Sequence, residues 1–307
     1  MENVLQWGVE VILALQANRS EALDAFFKAI TQLGGMGHVF IVPLVIWSLG
    51  YRTGVRLLLA LLLSAFVNFA LKDVFAQPRP FDLDPSIGPE REMGYGIPSG
   101  HAQHTLLEWG LIIAWCKRRW FTLLAVTLIA LIGFSRVWLG VHFPTDVLGG
   151  WLLGAAFLWA TLRHGDAIAA RLTAAGCAGQ VSIALGVSLL FVLFYVVVPK
   201  TAYLIGLSGL WLGAALGVIV CTRLLQAPEG GALWQRVLRY LLGMVVLLVW
   251  LEQSAKWVPA VRGTAWYLAA WGNNFAGGLW LTAGAPALFQ LLRLSPRPVR
   301  PVPDHAT

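Results

Sequence analysis

Nine apolar segments, near residues 37–51, 53–75, 99–117, 120–137, 144–164, 181–198, 203–223, 236–252 and 264–292, leave this chain few folds to choose from. Several fall short of the roughly 20 residues that a bilayer asks of a spanning helix. Together they still make the chain 58% hydrophobic, with a mean hydropathy of +0.71 and only 12% charged residues. In hydrocarbon no water satisfies the backbone, so each spanning segment must bond to itself as a helix. The expected fold is therefore all-α, a polytopic transmembrane helical bundle of about nine spans. Residues 1–34 read as helices lying at the membrane interface, broken near Asn18–Ser20 and Gly34–Gly35. Residues 293–307, rich in proline, read as a disordered tail. The opening stretch MENVLQWGVEVILALQ has no basic n-region and is not read as a cleavable signal.

The net charge of +7 comes without any basic-aromatic cluster, which argues against a nucleic-acid partner. Cys116, Cys177 and Cys221 lie in or beside apolar segments, and neither a disulfide frame nor a zinc spacing follows from them. With nine spans, 13 of the 22 lysines and arginines fall on one side, including Arg52, Arg56, Lys117, Arg118, Arg119, Arg163 and Arg171. The positive-inside rule places that side in the cytoplasm. The loop 76–98 and the stretch 135–146 are then expected outside.

That stretch, SRVWLGVHFPTD, carries Arg136, His142 and Asp146 at the mouth of an apolar segment. Pro144 suits a first helical turn, and a carboxylate one turn from an imidazole can fix its tautomer. Read alone, the stretch equally fits a helix cap at Asp146 and an interfacial anchor at Arg136. Two further stretches bear on the choice. Lys72 through Arg79-Pro80 closes the second apolar segment, and Pro98-Ser99-Gly100-His101 opens the third. The third and fourth segments cross and return, so the topology brings all three stretches to one membrane face. Lys72, Arg79 and Arg136 supply three positive charges, which are costly beside lipid and usually functional there. Ser99 and Gly100 open a helix, where free N–H groups and the dipole favour an anion. His101 and His142 add a candidate acid and nucleophile. A phosphoryl group needs such a set: donors for its oxygens, a nucleophile, and an acid for the leaving oxygen.

These residues resemble the signature of the type 2 phosphatidic acid phosphatases (PAP2), relatives of the histidine acid phosphatases and vanadium haloperoxidases. That signature is lysine, six residues, Arg-Pro; then Pro-Ser-Gly-His; then Ser-Arg, five residues, His, three residues, Asp. It reads here as Lys72 to Arg79-Pro80, Pro98-Ser99-Gly100-His101, and Ser135-Arg136 to His142 to Asp146, without a gap. The resemblance covers about residues 35–165 and implies a PAP2-type catalytic core there. Residues 166–292 would be additional transmembrane helices, giving a span count similar to the glucose-6-phosphatase branch. The resemblance further implies that His142 forms a phosphohistidine, Asp146 orients it, and His101 protonates the leaving oxygen and then activates water. Lys72, Arg79, Ser99, Gly100 and Arg136 would hold the phosphate, with no metal and no cofactor.

The expected activity is hydrolysis of a lipid phosphomonoester or pyrophosphate in a bacterial inner membrane, with the site facing the periplasm or exterior. Undecaprenyl pyrophosphate, phosphatidate and phosphatidylglycerophosphate are the candidate substrates. A sugar-phosphate phosphatase, a lipid phosphotransferase and a non-catalytic lipid carrier are the alternatives. No oligomeric state follows. Around the core, His104 reads as a packed histidine, while Glu108 is balanced between pairing inside the bundle and a function. Asp73 reads as an interfacial charge. Asp82, Asp84, Glu90, Arg91 and Glu92 form a polar loop, solvated by default and a lid on the bolder reading. The glycines around Asn273 and Asn274 read as helix-packing positions.

Overall fold

The computed structural model describes residues 2–88, 90–198, 200–225, 227–259 and 263–295. Among them the chain is all helical. In order, the helices are α1 (Glu2–Gln16), α2 (Glu21–Gly35), α3 (Gly37–Leu44), α4 (Tyr51–Phe75), α5 (Pro80–Leu83), α6 (Gly100–Cys116), α7 (Arg119–Trp138), α8 (Pro144–Ala174), α9 (Gly176–Val197), α10 (Tyr203–Leu224), α11 (Leu233–Ala255), α12 (Thr264–Leu279) and α13 (Ala285–Leu291). Single π turns follow α3, at Val45–Leu49, and α12, at Trp280–Gly284.

Among the described residues six helices are long and apolar enough to cross a membrane, or seven if α2 and α3 with its π turn, bent by 43°, count as one broken span. The nine expected spans are thus not found. Helix α6 has 17 residues, and at 1.5 Å per residue it rises only about 25 Å, against a hydrocarbon core of about 30 Å. The segment near 264–292 is divided between α12, a π turn and α13, so its length is not that of one rod. The tail beyond residue 295 lies outside the described residues.

The chain packs as two compact units. The first holds Met1–Phe40 and Arg56–Ser208. Its centre is the pairing of α6 with α8 and of α6 with α7, and α2 lies across α7 and α6. Small residues make the first pairing close. A Cβ on Gly150 would fall 2.5 Å from the Ser99 carbonyl oxygen, and one on Gly154 would fall 2.5 Å from that of Gln103. Such a stripe lets two backbones meet where lipid offers no hydrophobic drive for association. Under α1, a core of Val9, Ile12, Ile87, Ala102, Val137, Phe143 and Val147 closes the same end of the unit. Gln16 ties α1 down by donating to the Trp138 carbonyl at 2.9 Å.

The second unit holds Ile41–Val55 and the chain from Gly209 onward. Gly209, Gly213 and Gly217 of α10 face the α12 backbone and the π turn beyond it, and Gly278 packs back on Leu210 and Gly213. The packing role expected of the glycines near Asn274 is therefore met by Gly278, while Gly272 and Gly277 face open space. Trp47 is fully buried and donates to the Leu281 carbonyl at 2.9 Å; the Tyr51 hydroxyl reaches that of Thr282 at 2.7 Å.

Candidate active site

Four helix ends in the first unit meet at one place: the last turn of α4, the first turn of α6, the last turn of α7 and the first turn of α8. Asp146, in the first turn of α8, accepts the Phe143 N–H at 3.0 Å through Oδ2, half of a capping box. The same oxygen lies 3.2 Å from His142 Nδ1, and Oδ1 takes a hydrogen bond from Gln77 Nε2 at 2.7 Å. The Asp146 carbonyl accepts the Ser99 N–H at 2.9 Å, which locks the start of α8 to the start of α6. The α6 start is held from the other side by α4. Asn68 donates to the Pro98 carbonyl at 3.2 Å and to Gln103 at 2.8 Å, and Gln103 donates to the Ser64 hydroxyl at 2.7 Å. A Cβ on Gly100 would lie 3.3 Å from Asn68 Oδ1, so this turn has little spare room.

All three cations reach the same place. Arg79 is 4% exposed; its Nη1 donates to the Val141 carbonyl at 2.7 Å and lies 3.4 Å from His142 Nε2. Its Nε and Nη2 reach the carbonyls of Gly94 and Met93. Lys72 Nζ donates to the carbonyls of Tyr95 and Gly96 at 2.6 and 2.7 Å. Arg136 donates to Thr31 Oγ1 at 2.6 Å and pairs with Glu92, which also pairs with Arg79 at 3.2 Å. Beside them is a cavity of about 170 Å³, lined by His101, Arg136, Glu92, Thr31, Leu139 and Val141 among others. Two buried donors at this place, Arg136 Nε and the Ser99 hydroxyl, have no hydrogen-bond partner.

Burial and the neighbouring charges of Lys72, Arg79 and Arg136 hold the His142 imidazole well below its usual range. This favours the neutral ring, and a carboxylate at Nδ1 with a guanidinium at Nε2 suits the tautomer that carries its proton on Nδ1. For Glu92, burial opposes ionisation, but Arg136 and Arg79 outweigh it and the carboxylate titrates below its ordinary value. An anion site with a neutral nucleophile at its edge is what this arrangement can offer chemically.

The structure brings together all eight residues singled out in the sequence: Lys72, Arg79, Ser99, Gly100, His101, Arg136, His142 and Asp146. One histidine and two acids find other surroundings. His104 is packed edge-on against His38, and Glu108 is buried and paired with His38 of α3, the intrabundle alternative for that residue. Asp73, in the last turn of α4, is fully buried and accepts hydrogen bonds from the hydroxyl and N–H of Thr201. Glu92, assigned to a polar loop, is drawn into the cation set. Neutral amides at unpatterned spacing carry no charge signal, so nothing in the sequence marks Asn68 and Gln103 as supports of this site or Gln77 as a partner of Asp146.

Known proteins resemble the chain over these same residues. Residues 53–168 match the PAP2 superfamily, and residues 205–297 match the PAP2 superfamily phosphatase transmembrane extension. An undecaprenyl-diphosphatase of Sulfolobus acidocaldarius is 28% identical over 50% of this chain and 76% of its own length. Phosphatidylglycerophosphatase B of Bacillus subtilis is 30% identical over 44% of this chain and 72% of its own. Lipid phosphate phosphatase delta of Arabidopsis thaliana is 28% identical over 51% of this chain, which spans only 42% of that relative. On the motif matches, the helical core that carries them and these similarities, the chain belongs to the PAP2 superfamily.

Proposed function

We propose that this protein is an integral membrane phosphatase that cleaves a lipid phosphomonoester or diphosphate through a phosphohistidine, without a metal. The observation that carries this reading is the pair of unpartnered buried donors, Arg136 Nε and the Ser99 hydroxyl, beside a neutral His142. Unsatisfied buried donors cost about 1–3 kcal/mol each, so a site that keeps them is built for an acceptor that arrives from outside. A phosphoryl group supplies several. In the proposed reaction the bound phosphate dianion offsets the nearby cations and lets His101 carry a second proton; His142 Nε2 then attacks phosphorus, the bond to the leaving oxygen breaks, and His101 gives that oxygen its proton. His101 then takes a proton from water, whose oxygen attacks the phosphohistidine and releases inorganic phosphate. Asp146 keeps the proton on Nδ1 and steadies the charge that develops on the ring. Lys72, Arg79, Arg136, Ser99 and Gly100 bind the phosphoryl oxygens, so their positive charge takes the place a metal would have. We assign residues 35–165 to the catalytic core on this basis.

A lipid is favoured because the site lies at helix ends of a membrane protein, where a tail can stay in the bilayer while the phosphate enters. Undecaprenyl pyrophosphate, phosphatidate and phosphatidylglycerophosphate are the substrates to test, with glucose 6-phosphate as the soluble contrast. The test is phosphate release by the purified chain in detergent with EDTA present, beside His142→Ala. Release from one lipid that drops by at least about 10³-fold in the mutant, with folding retained, is the expected result. Turnover retained in folded His142→Ala overturns the covalent route, release from the sugar alone overturns the lipid assignment, and loss of release in EDTA overturns metal independence.

A further inference from the structure

The three cations proposed to bind phosphate are already engaged, and one short stretch engages them. Lys72 holds the carbonyls of Tyr95 and Gly96, and Arg79 holds those of Gly94 and Met93. Arg79 and Arg136 share the carboxylate of Glu92. Glu92 also lines the 170 Å³ cavity with His101 and Arg136, and its side chain remains 35% exposed there. Next to it, Glu90 pairs with Lys28 at 2.8 Å, which keeps this segment against α2. A carboxylate bridging two guanidinium groups, one oxygen to each, makes charge-assisted contacts of the kind a phosphate makes. It therefore stands where two phosphoryl oxygens would bind.

We propose that Glu92 is a specificity-determining residue, a resident monoanion that a ligand must displace from Arg79 and Arg136. This rests on the phosphatase reading above and adds which lipids that site refuses. A phosphodiester lipid carries one negative charge, no more than Glu92 itself, and unlike Glu92 it must be brought in from outside. A phosphomonoester or diphosphate carries closer to two charges or more and offers additional oxygens, so it wins the exchange. An enzyme surrounded by diester headgroups at far higher abundance needs this discrimination. Glu92 provides it by competing against the wrong ligand rather than by favouring the right one.

The test uses the full chain in detergent micelles and Glu92→Gln. Phosphatidate, or whichever lipid the panel above identifies, is diluted with phosphatidylglycerol in one series and with neutral diacylglycerol in the other. In the wild type the two diluents raise the apparent KM alike. In Glu92→Gln, phosphatidylglycerol raises it about ten-fold more than diacylglycerol does, and without diluent the KM for the monoester falls while kcat changes less. Equal behaviour of the diluents in the variant, or a KM that rises, overturns the proposal. A second measurement needs no turnover: inorganic phosphate should raise the Tm of Glu92→Gln at about ten-fold lower concentration than that of the wild type. If the wild type releases no phosphate from any lipid, the phosphatase reading falls and this comparison still decides whether Glu92 competes for the anion. A variant that folds only in phosphate supports the proposal. One that fails even there is replaced by Glu92→Asp, whose shorter carboxylate should weaken the competition in both measurements; unchanged values overturn it.

Discussion

Asp146 Oδ2 and Arg79 Nη1 stand at the two nitrogens of the His142 ring, at 3.2 and 3.4 Å. The aspartate fixes the proton on Nδ1. Burial opposes a second proton, and the charges of Lys72, Arg79 and Arg136 add to the effect. Two consequences follow. If His142 is the nucleophile, the acid limb of kcat/KM that reports its protonation lies below the ordinary imidazole value of about 6.5. A pH–rate profile whose acid limb sits at or above that value contradicts the neutral ring described here. Stability carries the same sign. The unfolded chain protonates this imidazole near 6.5 while the folded one does not, so the unfolded state binds more protons and His142 subtracts stability as pH falls below that point. His142→Asn should flatten this part of the dependence of Tm on pH. At this scale much was legible in the sequence, because charged and catalytic residues at fixed spacing stand out in an apolar chain. The parts that hold them were not: Gln77 on Asp146, and Asn68 and Gln103 beneath Pro98, are neutral amides whose partners are far away in the chain.

Among the elements, α6 and α8 decide whether the site exists, since the Ser99–Asp146 bond joins their first turns. Their closeness rests on Gly150 and Gly154 meeting the carbonyls of Ser99 and Gln103. Gly154→Val should force the two backbones apart and cost about 1–3 kcal/mol, the usual range for overpacking a close contact. It should lower the Tm in detergent and, by parting Ser99 from Asp146, lower turnover as well. Gly186→Ala in α9, where an added Cβ meets nothing within 4 Å, is the control and should leave both unchanged. A stable, fully active Gly154→Val would show that the pairing tolerates a wider separation. The sequence announced these helices as apolar segments but not their ends. Hydropathy averages over a window, so it could not see that α6 stops at 17 residues or that a π turn divides the last segment. It also gave no hint of Asp73 joining the end of α4 to Thr201, because a charge at a helix end looks interfacial until its partner is known.

For the whole molecule, orientation can be argued from where the charges sit without a span count, since six or seven helices among the described residues pass as spans and nine are not confirmed. In the first unit, α4, α6, α7 and α8 all turn one end toward the site. Their other ends carry Arg56, Lys117, Arg118, Arg119, Arg163 and Arg171, and Arg56 meets Asp166 at 2.5 Å, which places the start of α4 beside the far part of α8. At the site end Lys72, Arg79 and Arg136 are buried in the site, while Lys28 pairs with Glu90, Lys200 donates to the Asp73 carbonyl and Arg91 donates to carbonyls of its own loop. Six basic residues thus mark the ends opposite the site, and under the positive-inside rule we propose that those ends lie in the cytoplasm. We expect the site to face away from the cytoplasm. Cys116, exposed beside Lys117, reports one end, and a cysteine placed at Ser86, in the exposed turn after α5, reports the other. With Cys177 replaced by serine, a membrane-impermeant thiol reagent added outside intact cells should label Ser86→Cys and leave Cys116 unlabelled until the membrane is opened. Labelling in the reverse order would turn the site toward the cytoplasm. The phosphate set free by the proposed reaction would then be released inside the cell rather than outside it.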